Sequence, residues 1–440
     1  MSQPPELRRA VSRGQVVALA LNDVVGSGIY LLPAAAAALL GPMSLVAVVV
    51  AGLAVLLVVL CFAEASSRFE GTGGAYLYAR EAFGDLVGFE VGWMTWLARV
   101  ASVAALSAGF AQALSYLVPA ASAGAGRALA IAVPLAGLIA INVIGVRAAA
   151  RTAVVLVVGK LVPLGVFVAA GIFVFSPRIL TGQSAVRPDA AGLGEAALLL
   201  LFAYAGFENT PAPAGEFRRP RRDVPLALLL QIGIVTLLYA SVQLVALGTL
   251  PGLGVSATPL ADAAEGFLGG WSGWLLTAGA AVSILGTASA TMLAGPRYLF
   301  ALARDGYGPR WLASVHPRFR TPAAAILLLG AVALPLALSG SFAGLVALSV
   351  IARLATYLGT AAAVPVLRRK LGDPPGTFRL PGGPAIPIAA VLISLALAAS
   401  AGKRNLIAAA VALLVGLGIY ALRRKDRGPG PEEGAPPVQP

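Results

Sequence analysis

The 440-residue sequence has little charge, one cysteine and one histidine. Charged side chains make up 12% of its residues, too few to cover a water-soluble protein of this length. Cys61 has no second cysteine for an internal disulfide, and His316 lies in a basic loop. We therefore expect no metal site, no other cofactor and no enzymatic nucleophile–base pair. A Walker nucleotide-binding motif is also missing, which argues against an ATP-driven pump.

Long apolar segments make up most of the chain, which is 58% hydrophobic with a mean hydropathy of +0.86. An apolar helix needs about 20 residues to cross a bilayer. Segments of that size recur along the whole sequence, and we predict an all-α membrane protein with about twelve transmembrane helices. The predicted spans lie near residues 15–38, 41–63, 87–118, 127–146, 151–175, 192–214, 225–249, 272–302, 322–339, 342–366, 384–401 and 405–422.

The basic residues predict how the chain is oriented. When the N-terminus is placed in the cytoplasm, twenty-three of the 32 Lys and Arg residues fall on cytoplasmic links and five on outer links. This bias accounts for the formal net charge of +13 without a nucleic-acid partner. We predict a multi-pass protein of the cytoplasmic (cell inner) membrane, in contact with lipid, with both termini in the cytoplasm.

Spans one and six carry helix-weakening residues in the middle. Span one contains Gly26-Ser27-Gly28 and span six contains Gly206 followed by Pro211 and Pro213. Breaks at corresponding positions of two five-helix halves are typical of inverted-repeat transporters with discontinuous helices. The predicted organisation is a cytoplasmic N-terminus (1–14), a first repeat (15–175), a second repeat (192–366), two further spans (384–422) and a Pro/Gly-rich disordered cytoplasmic tail (423–440).

The two breaks are the predicted place for substrate. Backbone groups freed by a break cannot be satisfied by lipid and must face protein or a water-filled cavity. The Gly-Ser-Gly sequence at the start of a half-helix presents amides to an anion such as a carboxylate. The alternative is that these glycines serve tight helix packing. The matching break in span six favours the binding role.

Five motifs follow one another along nearly the whole chain: Gly26–Tyr30, Gly71–Tyr76, Phe202–Glu208, Arg219–Pro225 and Pro296–Gly306. In this order and spacing the sequence resembles the amino acid–polyamine–organocation (APC) superfamily of permeases, in particular its proton-coupled bacterial members. The resemblance implies the five-plus-five inverted-repeat fold (LeuT-like) and a substrate site at the middle of the bilayer between spans one and six.

The resemblance also implies roles for single residues. The substrate carboxylate would be bound by Gly26 and the amides of Ser27 and Gly28. The substrate amino group would be bound by the carbonyls of Val24, Phe202 and Ala205. Phe202 would in addition cover the substrate as an aromatic gate.

Lys160 is the most informative charge in the spans. It lies about nine residues into span five, roughly 14 Å deep, which is too deep for its side chain to reach the interface easily. The resemblance implies that it reaches the unwound part of span one and gains and loses a proton during transport. A permanently charged lysine that holds the carbonyls around Val24 and Val25 is the alternative.

Sodium coupling is a further alternative, because span eight carries hydroxyl groups. These could complete a sodium site if Lys160 points elsewhere, and they belong to Ser283, Thr287, Ser289 and Thr291. Two roles are open for Glu208 beside the second break: a proton-linked residue, or a carboxylate satisfied by backbone amides. For Arg99 and Arg353 we favour structural roles. Arg99 could pair with Glu90 on the same span or line the interior, and Arg353 could reach the inner interface or pair across helices.

A gate is predicted on the cytoplasmic side, where Glu216 and Asp223 flank the basic run Arg218–Arg222 and can pair with it. The adjacent Arg304 and Asp305 would join this network. Altogether the sequence predicts a secondary active transporter that imports amino acids or amines, with proton symport as the first choice and no enzymatic activity. An amino acid/amine exchanger and a transporter-like sensor are the alternatives.

Overall fold

The computed structural model describes residues 9–426 except for 27, 116–117, 183–192, 194–195, 198–199, 202, 257, 341 and 401–402. The described residues form an all-α protein, which confirms the predicted fold class. Among them, the one β contact is an isolated parallel bridge between Val11 and Phe217.

Most of the described helices follow the predicted spans to within a few residues. The described helices are α1 (Arg13–Val24), α2 (Gly28–Leu40), α3 (Ser44–Ser66), α4 (Ala75–Phe83), α5 (Asp85–Ser115), α6 (Gly124–Ile144), α7 (Val146–Gly171), α8 (Pro177–Gly182), α9 (Pro220–Thr249), α10 (Pro259–Leu268), α11 (Trp271–Arg304), α12 (Ala323–Ser339), α13 (Phe342–Leu371), α14 (Ala385–Ala399) and α15 (Lys403–Asp426). The short helices α4, α8 and α10 correspond to no predicted span, and span six is treated separately. By length and composition, 6 helical stretches of the described chain can cross a membrane, and three shorter apolar helices accompany them.

Span one is broken in the middle. Helix α1 ends at Val24 and α2 begins at Gly28. Val25 has φ −71° and ψ 87°, which is not helical, and its N–H donates the last α1 hydrogen bond to the Leu21 carbonyl at 3.1 Å. The carbonyls that follow have no described helical donor, and we call residues 25 and 26 the first break.

Span six is also broken, and the described residues among 193–204 are helical. The second break runs from residue 205 to 219 and contains two short 3₁₀ turns, Phe207–Asn209 and Ala214–Glu216, before α9 begins. A second half-helix was expected here. Pro211 and Pro213 have no N–H to donate and restrict the residues before them, so this stretch has irregular turns instead.

The first break is enclosed by other helices. Helix α1 packs against α7, α9 and α11, and α5 packs against α11 and α13. Three of the largest fully buried side chains are the cations Arg99, Lys160 and Arg297. A buried charge in the apolar part of a membrane protein is costly unless it is paired, so their partners locate the candidate site.

The ends of the chain are described only in part. Helix α15 continues to Asp426, three residues past the predicted start of the disordered tail at 423. Residues 427–440 lie outside the described residues, as do 1–8 of the predicted cytoplasmic N-terminus.

Candidate functional site

Lys160 lies on α7, and its side chain is fully buried. Its Nζ donates to the backbone carbonyls of Asn22, at 2.8 Å, and Val25, at 2.5 Å. These carbonyls would have been paired within a continuous helix, and the break leaves them to a donor from elsewhere. An ammonium group on α7 therefore stabilises the unwound segment of span one.

Two hydroxyl groups on α11 donate to the same segment. Ser283 Oγ lies 2.9 Å from the Val25 carbonyl and 3.1 Å from the Gly26 carbonyl. Thr287 Oγ1 lies 3.2 Å from the carbonyls of both Asn22 and Val25. The other two hydroxyl residues of the sodium alternative, Ser289 and Thr291, make no described hydrogen bond to these carbonyls. Lys160 points at this segment, and its Nζ bonds to the same two carbonyls, those of Asn22 and Val25.

Gly286 was not singled out from the sequence, and it makes room for the lysine. Its carbonyl accepts a hydrogen bond of 2.6 Å from the Asn22 side-chain amide. A Cβ atom at this position would lie 2.7 Å from Lys160 Nζ and 2.8 Å from its Cε. The only available signal was a glycine inside an apolar helix, which indicates a close approach but not to which residue.

Glu208 holds two buried guanidinium groups at the second break. Its Oε1 accepts from Arg99 Nη2, at 2.8 Å, and from Arg353 Nη1. Its Oε2 accepts from the Gly206 N–H at 3.0 Å and the Tyr357 hydroxyl at 3.1 Å. The predicted contact with a backbone amide is therefore one of four hydrogen bonds. The two arginines supply most of the electrostatic stabilisation that offsets the desolvation of this buried carboxylate.

Pairing with Glu90 was one prediction for Arg99, but the structure gives it a different carboxylate as its partner. Its guanidinium bonds to Glu208 and, at 2.5 Å, to Asn209 Oδ1. The partners are separated by 109 residues for Arg99 and by 145 for Arg353. Sequence reasoning missed this cluster because such pairs depend on how α5 and α13 are rotated toward the break.

A small cavity of about 30 Å³ lies between the two breaks and α5, α11 and α13. This volume holds about two water molecules. The cavity brings together four of the predicted substrate residues with side chains from the surrounding helices: Val24, Gly26, Gly28 and Ala205, together with Ser102, Thr287, Ser349 and Arg353. Ser27 and Phe202 lie outside the described residues, and their roles stay predictions.

Tyr239 of α9 ties the two broken spans to each other. Its hydroxyl lies 3.1 Å from the Val24 carbonyl and 3.1 Å from the Ala203 carbonyl. The Val24 carbonyl was predicted to bind a substrate amino group. A carbonyl oxygen has two acceptor positions, so the bond to Tyr239 leaves one position at the cavity.

The backbones of the two breaks touch at Gly206. This residue has φ 130°, and a Cβ atom on it would lie 2.6 Å from the Asp23 carbonyl oxygen and 3.1 Å from the Val24 nitrogen. The positive φ and the close approach both require glycine.

Gly206→Ala is expected to destabilise the protein by about 2 kcal/mol or more, because backbone strain and a backbone clash act together. Thermal unfolding of detergent-purified protein measures this. Gly233→Ala is the matched control, since Gly233 lies within α9 and has no atom within 4 Å of an added Cβ. Equal melting temperatures for the two variants would contradict the close approach at Gly206.

A second buried ion pair lies near the start of α1, on the face of the molecule here called the N-terminal face. Arg297 Nε and Nη2 lie 2.7 Å and 3.2 Å from the two Glu216 carboxylate oxygens, and both side chains are fully buried. The Glu216 carbonyl accepts from the N–H groups of Ala10 and Val11. Glu216 was expected to pair with the basic run Arg218–Arg222, but it points inward to α11 instead.

Asp223, the other predicted gate residue, pairs with Arg13 at 2.8 Å. Asp305 bonds to Arg80 at 2.5 Å, to the Tyr76 hydroxyl at 2.7 Å and to the adjacent Arg304 at 3.4 Å. It has no described ion pair with the basic run whose network it was predicted to join. Burial and the neighbouring Asp305 raise the pKa of Tyr76 well above its usual value, so its hydroxyl stays a donor. The described ion pairs of this region are thus separate from one another.

Comparison with known proteins gives one consistent result. The family model described as Amino acid permease matches residues 12–417. The chain is 28% identical to the branched-chain amino acid permease BcaP of Bacillus subtilis, over 94% of this chain and 93% of the relative. It is 33% identical to the uncharacterized transporter Rv1999c of Mycobacterium tuberculosis (96% and 92%) and 29% identical to the serine/threonine exchanger SteT of Bacillus subtilis (93% and 95%).

Proposed function

The chain belongs to the amino acid permease family, and from this we propose that it imports amino acids by proton symport through alternating access. The family membership accounts for amino acid transport across a membrane. It does not decide the mode of coupling, because the relatives include a permease and an exchanger by name. The coupling mode is therefore argued from the site.

The observation that carries proton coupling is the Lys160 ammonium on the carbonyls of Asn22 and Val25. A lysine can release a proton, and a neutral amine binds two carbonyl oxygens less strongly than an ammonium does. Gly26, which follows Val25 directly, lines the cavity. Proton binding at Lys160 and substrate binding at the cavity then act on the same short segment. By linkage, a bound proton raises the affinity for substrate, and bound substrate raises the affinity of Lys160 for its proton.

Substrate binding follows from the chemistry of the breaks. We propose that the amides at Gly26, Ser27 and Gly28 bind the substrate carboxylate, because α2 begins there and an N-terminal half-helix favours an anion. Carbonyls at Val24 and Ala205, with Phe202 above, would take the amino group. Unwound backbone at the middle of a transporter commonly serves this purpose.

For Glu208 the four hydrogen bonds favour a structural role over proton coupling. Both carboxylate oxygens are already paired, and two guanidinium groups stabilise the ionised form. We propose that Lys160 alone carries the coupled proton at this site and that Glu208 holds α5 and α13 against the second break.

The membrane would be the cytoplasmic membrane, with the N-terminal face on the cytoplasmic side, since the links on that side carry most of the Lys and Arg residues. On this assignment Glu216–Arg297 and Asp223–Arg13 close the inner gate. Release of substrate to the cytoplasm requires both pairs to separate.

Glu216→Gln is expected to shift the protein toward the state open on the N-terminal face, because it leaves Arg297 buried without its counter-charge. Modification of Ala10→Cys by a maleimide should become at least about tenfold faster, in a Cys61→Ala background. Asp223→Asn is the comparison, and a smaller change is expected there because Arg13 is 54% exposed. Unchanged labelling rates would argue against a gate at Glu216.

Uptake into proteoliposomes tests the function as a whole. A radiolabelled amino acid mixture is offered with an inward proton gradient and without sodium. Accumulation that an uncoupler abolishes supports proton symport. Flux only into vesicles preloaded with amino acid would show exchange, and binding without any flux would show a sensor.

A further inference from the structure

One guanidinium group faces the cavity between the breaks. Arg353 lines the cavity together with Ser102 and Ser349. Its Nε donates to Ser349 Oγ at 3.1 Å, its Nη2 to Ser102 Oγ at 2.7 Å and its Nη1 to Glu208. A guanidinium has five N–H donors, so these three bonds leave two N–H groups of this cavity-lining residue with no described partner.

Arg99 contacts the same carboxylate without lining the cavity. Both guanidinium groups bond to Oε1 of Glu208, and the side chain of Arg99 is fully buried. The two arginines therefore share one counter-ion but differ in their access to a bound molecule.

The charges around the breaks are unequal. The buried pair of Glu216 with Arg297 is neutral overall. Among the other described residues there, three buried cations, Arg99, Lys160 and Arg353, stand against two buried carboxylates, Asp23 and Glu208. When these five are ionised, one positive charge remains in excess. In a medium of low dielectric constant this excess repels a cationic side chain and attracts an electron-rich oxygen.

The rest of the lining beside Arg353 is apolar on the α5 side, where Ala105 and Leu106 face the cavity. The cavity has room for a small polar group, and such a group meets alkyl groups on one side and the remaining N–H donors of Arg353 on another. Hydroxyl groups of Ser102 and Ser349 hold the guanidinium in place between them.

We propose that Arg353 is the specificity-determining residue of this transporter and that it selects amino acids whose side chain ends in an oxygen acceptor. This inference rests on the proposed function and names its substrate class: a hydroxyl, amide or carboxylate side chain. An apolar side chain leaves the guanidinium N–H groups buried without an acceptor. Because unpaired buried donors are costly, a site built to donate hydrogen bonds strongly rejects amino acids with apolar side chains. A lysine or arginine side chain is repelled by the excess positive charge.

The test is proteoliposome uptake of single radiolabelled amino acids. Threonine and valine have the same shape and differ by a hydroxyl in place of a methyl group, so their uptake ratio isolates the acceptor. Wild-type protein is expected to prefer threonine by about tenfold to a hundredfold. Asparagine and glutamate distinguish the amide and carboxylate classes, and lysine tests the exclusion of cations.

Arg353→Lys is expected to lower the threonine-to-valine ratio about tenfold, because lysine keeps the charge but loses the planar fork. Arg99→Lys is the matched control: it changes the same kind of group on the same carboxylate, and the ratio should stay as in wild type. Ser102→Ala keeps the ion pair to Glu208 but removes one of the two hydroxyl groups that hold the Arg353 guanidinium in position. A guanidinium that is no longer held in position donates less well to the substrate, so the ratio should fall several-fold even if Arg353→Lys does not fold.

The inference is overturned if wild-type protein takes up valine as well as threonine, or takes up lysine in preference to both. It is also overturned if Arg353→Lys lowers threonine and valine uptake equally, since Arg353 would then act on the part common to all amino acids. In each case amino acid transport is still observed, and the proposed function stands. Absence of uptake for every amino acid would overturn both.

Discussion

Neither Lys160→Ala nor Lys160→Arg is expected to accumulate amino acid in response to a proton gradient. Alanine removes the donor to the Asn22 and Val25 carbonyls. Arginine keeps a positive charge but stays protonated at every physiological pH, so it cannot release the coupled proton. Uptake by both variants should fall to the level that wild-type protein shows with an uncoupler, measured in proteoliposomes with an imposed gradient.

The arginine variant separates the two roles left open for this lysine. If transport requires only a permanent positive charge at the first break, Lys160→Arg will accumulate substrate like wild type. The hypothesis of proton coupling through Lys160 would then be wrong. Lys370→Ala is the control for lysine replacement, since Lys370 is exposed and its one described hydrogen bond goes to the Glu81 carbonyl. It should retain wild-type accumulation. Counterflow with unlabelled substrate shows whether a variant that does not accumulate still moves substrate.

The second large effect is expected at Glu208. Glu208→Gln preserves the shape of the side chain but leaves Arg99 and Arg353 without their shared counter-charge. Breaking a buried pair by removing one partner typically costs about 3–5 kcal/mol. The melting temperature in detergent should therefore fall by many degrees, and the yield of folded protein should fall with it.

The same substitution at the surface is the control. Glu70 pairs with Arg9 at 2.9 Å, and both side chains are about half exposed. Exposed ion pairs contribute about 1 kcal/mol or less, so Glu70→Gln should change the melting temperature little. Combining Glu208→Gln with Arg99→Gln removes one of the unpaired cations and should recover part of the stability. Equal effects at Glu208 and Glu70 would mean that water compensates the buried cluster.

The helices and their breaks could be predicted from the sequence. A bilayer requires about 20 apolar residues per crossing, and this requirement is local. Glycine and proline weaken a helix at the residues where they stand, so the breaks at Gly26 and Gly206 were predicted in the right places. The second break differed from the prediction only in its form. Two prolines close together lack the N–H groups that a second half-helix needs, so 3₁₀ turns form there instead.

The sequence by itself thus determined the class of protein, the apolar helices, the place of Lys160 within a helix and the positions of both breaks, since each depends on residues close together in the chain. Only the tertiary structure decided the partners: Lys160 with Asn22 and Val25, Arg297 with Glu216, and two arginines on Glu208. These pairs join residues far apart in sequence. Their formation depends on how each helix is rotated and packed, which the pattern of a single segment does not contain.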